Sequence, residues 1–216
     1  MPRFGAALTA GVVLLSIPSA SAVSDPSPAA SESAPEESPP IQARNVVEQT
    51  VGEVIAVLRD SALSSEQRLA LIEEIVYGRF DLTTMSRYVL ARNWRRFSKE
   101  QQTEYVAAFK QYLSNNYSGR LSRYDQFDVN VTGSRSESNG HVTVRTVIVG
   151  GQSEGAQLDY RLRDADGSWK VIDVKIEGIS MVSNFRDQFK EVVNDGGPEL
   201  LLKKLQEKNS KHASTD

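Results

Sequence analysis

The spacing of apolar positions changes twice along this chain. Before Tyr124, apolar residues recur every three or four positions, which is the spacing of one face of a helix. From Phe127 to Ile176 they alternate with polar residues, as in strands with one buried face. After Gly178 the helical spacing returns. Helices, then strands, then helices predict an α+β domain.

Capping signals predict where helices begin in the first half. Ser64 and Gln67 have the spacing of a capping box, in which two side chains satisfy free N–H groups of the first turn. Ser98 and Gln101 repeat that spacing, and Asp81 is a candidate cap for a short helix between them. The apolar stripes comprise Val47, Val51, Val54, Ile55 and Leu58, then Leu69, Ile72 and Val76, then Tyr105, Ala108, Phe109, Tyr112, Leu113, Tyr117 and Leu121.

Turn signals divide the second half into four strands. Asn139-Gly140 and Asp166-Gly167 are dipeptides typical of tight hairpin turns. Sequential strands joined by short turns pair antiparallel, so we expect a four-stranded antiparallel curved sheet packed against several helices. The expected strands are 127–132, 141–149, 158–162 and 169–176. Gly196-Gly197-Pro198 is expected to separate two C-terminal helices.

The stretch 169–189 passes from strand spacing to helix spacing without a loop. Beyond Gly178, the side chains of Met181, Phe185 and Phe189 recur every four residues and share one helical face. Such a corner closes one end of a sheet and can wall off a cavity. The three tyrosines on the long helix and the flexible side chains of the methionines also favour a pocket.

The N-terminus predicts export. Arg3 precedes an apolar run from Phe4 to Leu15, and Ala20-Ser21-Ala22 follows as a small-residue cleavage site. A membrane anchor is the alternative, but the run is shorter than the ~20 residues that span a bilayer. We therefore expect signal peptide cleavage near Ala22 and a soluble exported protein without stable membrane insertion.

Composition sets the expected domain organisation. Five of the eight prolines lie in 23–40 with many Ser and Ala residues, a composition typical of a flexible leader. The predicted organisation is a signal peptide at 1–22, a flexible leader at 23–40, a single domain at 41–209 and a polar tail at 210–216.

Charge and cysteine content exclude several classes of protein. The chain has no cysteine, which excludes disulfides, thiolate metal sites and lipid attachment to an N-terminal cysteine. Its net charge of −3 argues against a nucleic-acid-binding protein.

No catalytic or metal-binding constellation is evident in the sequence. His141 begins a strand and His212 lies near the C-terminus, so neither has an expected triad or ligand partner. Among the carboxylates, Asp81 is expected to cap a helix, and Asp159, Asp173 and Glu177 to occupy outward strand positions. We expect no enzyme, no cofactor and no metal site. The alternative is an exported enzyme that uses Asp159 and Asp173 as acid and base.

Two segments carry a resemblance to a known family. Residues 80–124, FDLTTMSRYVLARNWRRFSKEQQTEYVAAFKQYLSNNYSGRLSRY, and 169–189, WKVIDVKIEGISMVSNFRDQF, resemble the MlaC family, also called the toluene-tolerance family of periplasmic phospholipid-binding proteins. The similarity extends over most of residues 45 to 208. In VLARNW, Ala91 stands where the family pattern has glycine, so the local turn there is expected to differ.

The resemblance implies a soluble periplasmic phospholipid carrier. Family members shuttle lipid between an outer-membrane lipoprotein-porin complex and an inner-membrane ABC transporter with an MCE-domain ring, and so maintain outer-membrane lipid asymmetry. They hold the acyl chains in an apolar cavity between sheet and helices. Two alternatives remain open: an adaptor module of an ABC transporter without bound lipid, and a carrier of hopanoid-like lipids.

The cavity that the resemblance implies would be lined by residues on the apolar faces of the predicted helices and strands. The lipid-binding candidates are Val89, Phe109, Leu113, Tyr117 and Leu121 on helices, Val144, Val147, Val149, Leu158, Tyr160 and Val174 on the sheet, and Ile179, Met181 and Phe185 at the corner. Basic residues crowd before the long helix and are candidates for headgroup binding or partner docking: Arg87, Arg92, Arg95, Arg96 and Lys99.

Overall fold

The computed structural model describes the backbone of residues 38–121 and 127–213, with side chains of residues 38–116 and 127–211. The predicted signal peptide and most of the predicted leader lie outside these residues, as does the end of the predicted tail. None of the helices in the described part of the chain combines the length and apolarity that a bilayer crossing requires.

Five α-helices and one 3₁₀ segment form the helical part of the described chain. Both predicted capping boxes are formed: the Ser64 and Ser98 hydroxyls accept the N–H groups of Gln67 and Gln101, each at 3.2 Å. The helix that Ser64 starts begins one residue later, as predicted. The bounds are α1 Pro39–Arg59, α2 Ser65–Arg79, α3 Leu82–Leu90, the 3₁₀ segment Ala91–Arg96, α4 Lys99–Leu121 and α5 Met181–Ala213.

Helix α5 is broken at the predicted glycines. Gly197 has φ 72°, a left-handed conformation that favours glycine. A Cβ atom at Gly196 would lie 2.5 Å from Leu200 Cδ2, so this position has no room for a side chain. Pro198 then begins the second half of the helix. Its missing N–H group costs no hydrogen bond, because N–H groups in the first turn have no partner within the helix. The predicted separation of two C-terminal helices is confirmed.

The strands form one antiparallel sheet in the order β1-β2-β3-β4-β5. Their bounds are β1 Asp128–Ser136, β2 Val142–Val149, β3 Gln157–Ala165, β4 Ser168–Ile176 and β5 Ile179–Ser180. The α+β class and the antiparallel pairing are confirmed. The prediction of four strands missed β5, because two residues are too short to show an alternating pattern.

Strand register divides the sheet side chains between two faces. On the inner face, which α1 covers, the buried and half-buried apolar residues of the sheet core are Val131, Val142, Val144, Leu158, Tyr160, Leu162, Trp169, Val171 and Val174. On the outer face, Thr143 pairs with Arg161, and Arg161 pairs with Asp173. The sheet is therefore apolar toward α1 and largely polar on the other side.

Two apolar cores meet at the β4 edge of the sheet. The sheet core packs Ala43 and Val47 of α1 against the inner face. The helical core lies between α3, α4 and α5 and comprises Met85, Val89, Leu90, Phe97, Tyr105, Phe109, Val182, Phe185, Phe189, Val193, Leu201, Leu202 and Leu205. Phe80 and Met181 contact both cores. These two side chains thus join the sheet layer to the helical layer.

Candidate functional site

The inner face of the sheet carries a row of apolar side chains that are only half-buried. Leu158 and Tyr160 both pack against the sheet core without being enclosed by it. Tyr160 pairs with Val144 on one side and with Val174 on the other, so three strands contribute to the same surface. The burial of Tyr160 raises the pKa of its phenol to about 12. This part of the inner face is therefore strongly apolar.

The apolar surface continues to an exposed end of the sheet. Leu158 pairs with Ile176, which is 38% exposed, and Ile176 pairs with Ile179, which is 67% exposed. The tight turn between β4 and β5 requires φ values of 50° at Glu177 and 78° at Gly178. An apolar row thus runs from the interior of the sheet to solvent, which is unusual for a face that serves only as a core.

A groove of about 690 Å³ opens between α1 and the edge strand β1. Its lining residues are Arg44, Glu48, Val51, Gly52, Ile55, Ala56, Arg59, Asp128, Val129, Asn130 and Val131. Its lining mixes apolar with charged and amide side chains, and an ion pair crosses from helix to strand where Arg59 Nη2 lies 3.0 Å from Asp128 Oδ1. The sequence showed an apolar stripe on α1, but it did not show that α1 packs beside β1, so these residues were missed.

The structure brings several predicted lipid-binding residues together. Val144, Leu158, Tyr160 and Val174 lie on the inner face of the sheet. Met181 is half-buried at the junction of the two cores. With exposed Ile179, these residues form a continuous apolar surface, which we call the inner-face site.

Two of the predicted strand residues face the other way. Val147 pairs with Gln157 and Asn130, and Val149 pairs with Asp128, all on the outer face. Val149 is 40% exposed there. Both therefore lie outside the inner-face site, because residues an odd number of positions apart on a regular strand point to opposite faces, and their role in lipid binding stays a prediction.

Most of the predicted helix residues lie inside the helical core. Val89 and Phe109 are 1% exposed, and Phe185 is 6% exposed. The Phe109 ring packs edge-on against Phe185 at 5.4 Å and stacks on Tyr105 at 5.7 Å between ring centroids. A ligand could reach these rings only by displacing their neighbours. Leu113 is half-buried against the same core. Tyr117 and Leu121 belong to α4, but their side chains lie outside the described residues.

The predicted basic residues form an exposed group away from the inner-face site. Arg87 lies on α3, Arg92, Arg95 and Arg96 lie on the 3₁₀ segment, and Lys99 begins α4; all five are exposed. We call these five residues the basic surface. It borders the helical core, since Trp94 of the 3₁₀ segment packs edge-on against Tyr105 at 6.4 Å.

The carboxylates considered for catalysis have structural contacts. Asp173 is 1% exposed and not outward as predicted, because its carboxylate accepts the Ser180 hydroxyl at 2.7 Å and the Val182 N–H at 3.1 Å at the start of α5. Glu177 accepts the N–H of Gln157. Asp159 is half-buried on the outer face. No group of three or more potential metal ligands occurs among the described residues.

Comparison with known proteins gives consistent results. The sequence profile of the family described as MlaC protein matches residues 48–207. The chain is 26% identical over 106 residues to toluene tolerance protein ttg2D of Pseudomonas putida, a match that covers 49% of each chain. It is 23% identical over 126 residues to the intermembrane phospholipid transport system binding protein MlaC of Haemophilus influenzae, covering 56% of this chain and 59% of that relative. The chain thus matches little more than half the length of these relatives.

A solved structure shares the fold. The phospholipid-binding protein from Ralstonia solanacearum, determined in complex with a phospholipid, superposes with a TM-score of 0.73 and 25% sequence identity. The match covers 80% of this chain and 99% of that protein. Since the family profile spans most of the chain and the fold agrees, this protein belongs to the MlaC family.

Proposed function

We propose that this protein is a soluble periplasmic carrier that binds a phospholipid and transports it, and that it is not an enzyme. The observation that carries the proposal is the inner-face site, where apolar side chains run from the sheet core to the exposed Ile176 and Ile179. Membership of the MlaC family and the fold shared with a phospholipid-binding protein support it.

The physical requirement for such a carrier is an apolar surface that replaces water around the acyl chains. Each methylene group exposed to water costs about 0.8 kcal/mol, so two chains of about sixteen carbons cost on the order of 20 kcal/mol if uncovered. Half-buried Leu158 and Tyr160, with exposed Ile176 and Ile179, offer the contacts that offset this cost, while Val144 and Val174 are buried in the sheet core beside them.

The finer role is a proposal that the family resemblance supports. We propose that the protein is exported by its signal peptide and shuttles phospholipid between an outer-membrane lipoprotein-porin complex and an inner-membrane ABC transporter with an MCE-domain ring, and so maintains lipid asymmetry of the outer membrane. A passive carrier meets this need, because it loads and unloads according to the affinities of the two partners.

The test is native mass spectrometry with lipid extraction on residues 23–216, purified from the periplasm without detergent. A bound mass that resolves into phospholipid species is the expected result. A protein that carries no lipid would support the adaptor alternative, and a polycyclic lipid in the extract would support the hopanoid alternative.

A pair of strand variants tests the location of the site. Leu158→Asn places a polar group on the inner face and is expected to reduce bound phospholipid about ten-fold or more, because an amide in apolar surroundings loses its hydrogen bonds to water. Val149→Asn makes the same kind of change on the outer face and should leave lipid content unchanged.

Folding of each variant is checked by its thermal unfolding temperature. If Leu158→Asn unfolds, Ile176→Asn replaces it, since Ile176 is already 38% exposed at the end of the same row. Equal lipid content in the inner-face and outer-face variants would show that the acyl chains do not lie on the inner face.

A further inference from the structure

We propose that the basic surface docks this carrier onto an acidic patch of a partner protein during lipid transfer. The five cations of this surface are Arg87, Arg92, Arg95, Arg96 and Lys99. The inference rests on the proposed function, since a carrier must meet the protein that loads or unloads it. It adds which face makes that contact and what chemistry the partner presents.

The basic surface is a separate positive area on an acidic protein. The chain has a net charge of −3, yet no acidic residue lies between Leu82 and Lys99. Among the described residues none of its five cations forms a salt bridge, and all five are exposed. Exposed cations without an ion-pair partner, grouped in one segment of an anionic molecule, orient it toward a negative partner as the two approach.

The backbone that carries these cations is held rigidly. The Gln102 amide donates hydrogen bonds to the carbonyl oxygens of Trp94 and Phe97, both at 3.1 Å. Phe97 is buried, and Ala91 enters the 3₁₀ segment with φ 49°. Preorganised groups lose less conformational entropy when they bind a partner of matching geometry. Four of the five cations are arginines, whose planar guanidinium groups pair with carboxylates through two hydrogen bonds.

The position of the basic surface argues against a contact with the headgroup of the bound lipid. A chain of ring contacts leads from Trp94 through Tyr105 and Phe109 to Phe185, and Met181 then borders the sheet core. The aromatic interior of the helical core thus lies between the basic surface and the inner-face site.

The side chains around the cations favour a protein partner over a membrane surface. Between residues 87 and 99 no large apolar side chain is exposed, because Val89, Leu90 and Phe97 are buried and Tyr88 and Trp94 are half-buried. Proteins that bind the membrane interface usually combine basic residues with apolar side chains inserted between lipids. An exposed basic surface without exposed large apolar side chains is better matched to carboxylates on a folded partner.

The experiment uses site-specific photo-crosslinking in the full exported chain. A benzophenone amino acid replaces Thr103, an exposed residue one turn after Lys99, so that no cation is lost. Adducts formed in the cell envelope are isolated and the crosslinked peptide is sequenced. We expect one major protein adduct whose contact peptide is rich in Asp and Glu. Arg95→Glu with Arg96→Glu should lower its yield about ten-fold or more, and replacing the partner's contact carboxylates with Arg should restore it.

The matched control is Lys203→Glu with Lys204→Glu, which changes the net charge equally at two exposed positions of α5. Its adduct yield should equal that of the unmodified chain. An unchanged yield in the Arg95 and Arg96 variant overturns the proposal, as does the absence of any protein adduct. A third outcome would assign the basic surface to a membrane instead. In that case the adducts are phospholipids, and the Arg95→Glu and Arg96→Glu variant loses the cosedimentation with phosphatidylglycerol vesicles that the unmodified chain shows.

Lipid content separates this proposal from the proposed function. Native mass spectrometry of the Arg95→Glu and Arg96→Glu variant should show the same bound phospholipid as the unmodified chain, because the inner-face site is intact. The unmodified chain could instead carry no lipid and still form the adduct. That result would overturn the carrier function, but it would still support docking through the basic surface.

Discussion

At the scale of single residues, Ala91 shows how one alanine stores backbone strain. Its φ of 49° and ψ of −120° end α3 in a region that side chains with a Cβ atom rarely occupy. Glycine, which has no Cβ atom, would adopt this conformation without steric cost. Strained residues of this kind persist only where neighbouring contacts hold them. Here, buried Leu90 on one side and the 3₁₀ segment on the other hold the turn.

Ala91→Gly is therefore expected to stabilise the protein by about 1 kcal/mol, because glycine adopts positive φ without steric cost. The measurement is the midpoint of urea-induced unfolding. The control is Ala107→Gly at an exposed position inside α4, where glycine should destabilise the fold by about 1 kcal/mol. Destabilisation by both variants would mean that Ala91 is not strained.

At the scale of elements, Asp81 joins a helix to the sheet. Its carboxylate accepts the N–H and the hydroxyl of Thr84 at 2.8 and 2.7 Å, which caps α3, and it accepts Arg163 Nε of β3 at 2.7 Å. The backbone N–H of Asp81 also donates to the carbonyl oxygen of Val171 in β4. One residue thus starts a helix and fixes it to two strands.

These contacts predict a pH dependence. Burial raises the pKa of Asp81, but the hydrogen bonds from Thr84 and the interaction with Arg163 outweigh it and leave the pKa below its ordinary value. A carboxyl whose pKa is lowered by folding contributes stability above its unfolded pKa of about 4, and the contribution is lost as the pH falls through the folded pKa.

Asp81→Asn keeps a capping oxygen but removes the charge, so we expect a loss of about 1 kcal/mol at neutral pH. The difference from the unmodified protein should begin to shrink below about pH 4, where the unfolded chain takes up a proton at this carboxyl, and should vanish as the pH falls through the lower pKa of the folded state. Urea unfolding measured between acidic and neutral pH tests this. A difference that is constant across that range would contradict the role of the charge.

At the scale of the whole molecule, two cores joined by Phe80 and Met181 allow local differences in stability. The helical core is closed by ring contacts among Tyr105, Phe109 and Phe189 at 5.7 to 6.3 Å. The inner face of the sheet has half-buried side chains and an exposed end. A ligand on the inner face should therefore stabilise α1 and the sheet more than the helical core.

Removal of bound lipid is expected to lower the unfolding temperature by mass action, since a ligand of the folded state stabilises it. Hydrogen exchange should increase mainly in α1 and β1–β4, with α3 and the first half of α5 little changed. Hydrogen–deuterium exchange with mass spectrometry on lipid-bound and delipidated protein measures this. An increase confined to the helical core would place the lipid there instead.

Sequence patterns predicted much of the fold because their signals are local. The capping boxes at Ser64 and Ser98, the cap at Asp81 and the break at Gly196-Gly197 each depend on a few neighbouring residues. The strands were recognised from their alternation, except β5.

The candidate site was predicted less completely. Val144, Leu158, Tyr160 and Val174 lie on one face, whereas Val147 and Val149 lie on the other.

Local signals are enough to predict the helices, their caps, the hairpins and the α+β class, because backbone hydrogen bonds and capping side chains act over a few residues. Long-range packing, in contrast, places Phe109 and Phe185 in a core, buries Asp173 beneath the start of α5, and brings α1 beside β1. Apolar side chains at helical spacing suit a packed core and a ligand surface equally well. Which of the two they form depends on what packs against them from distant parts of the chain.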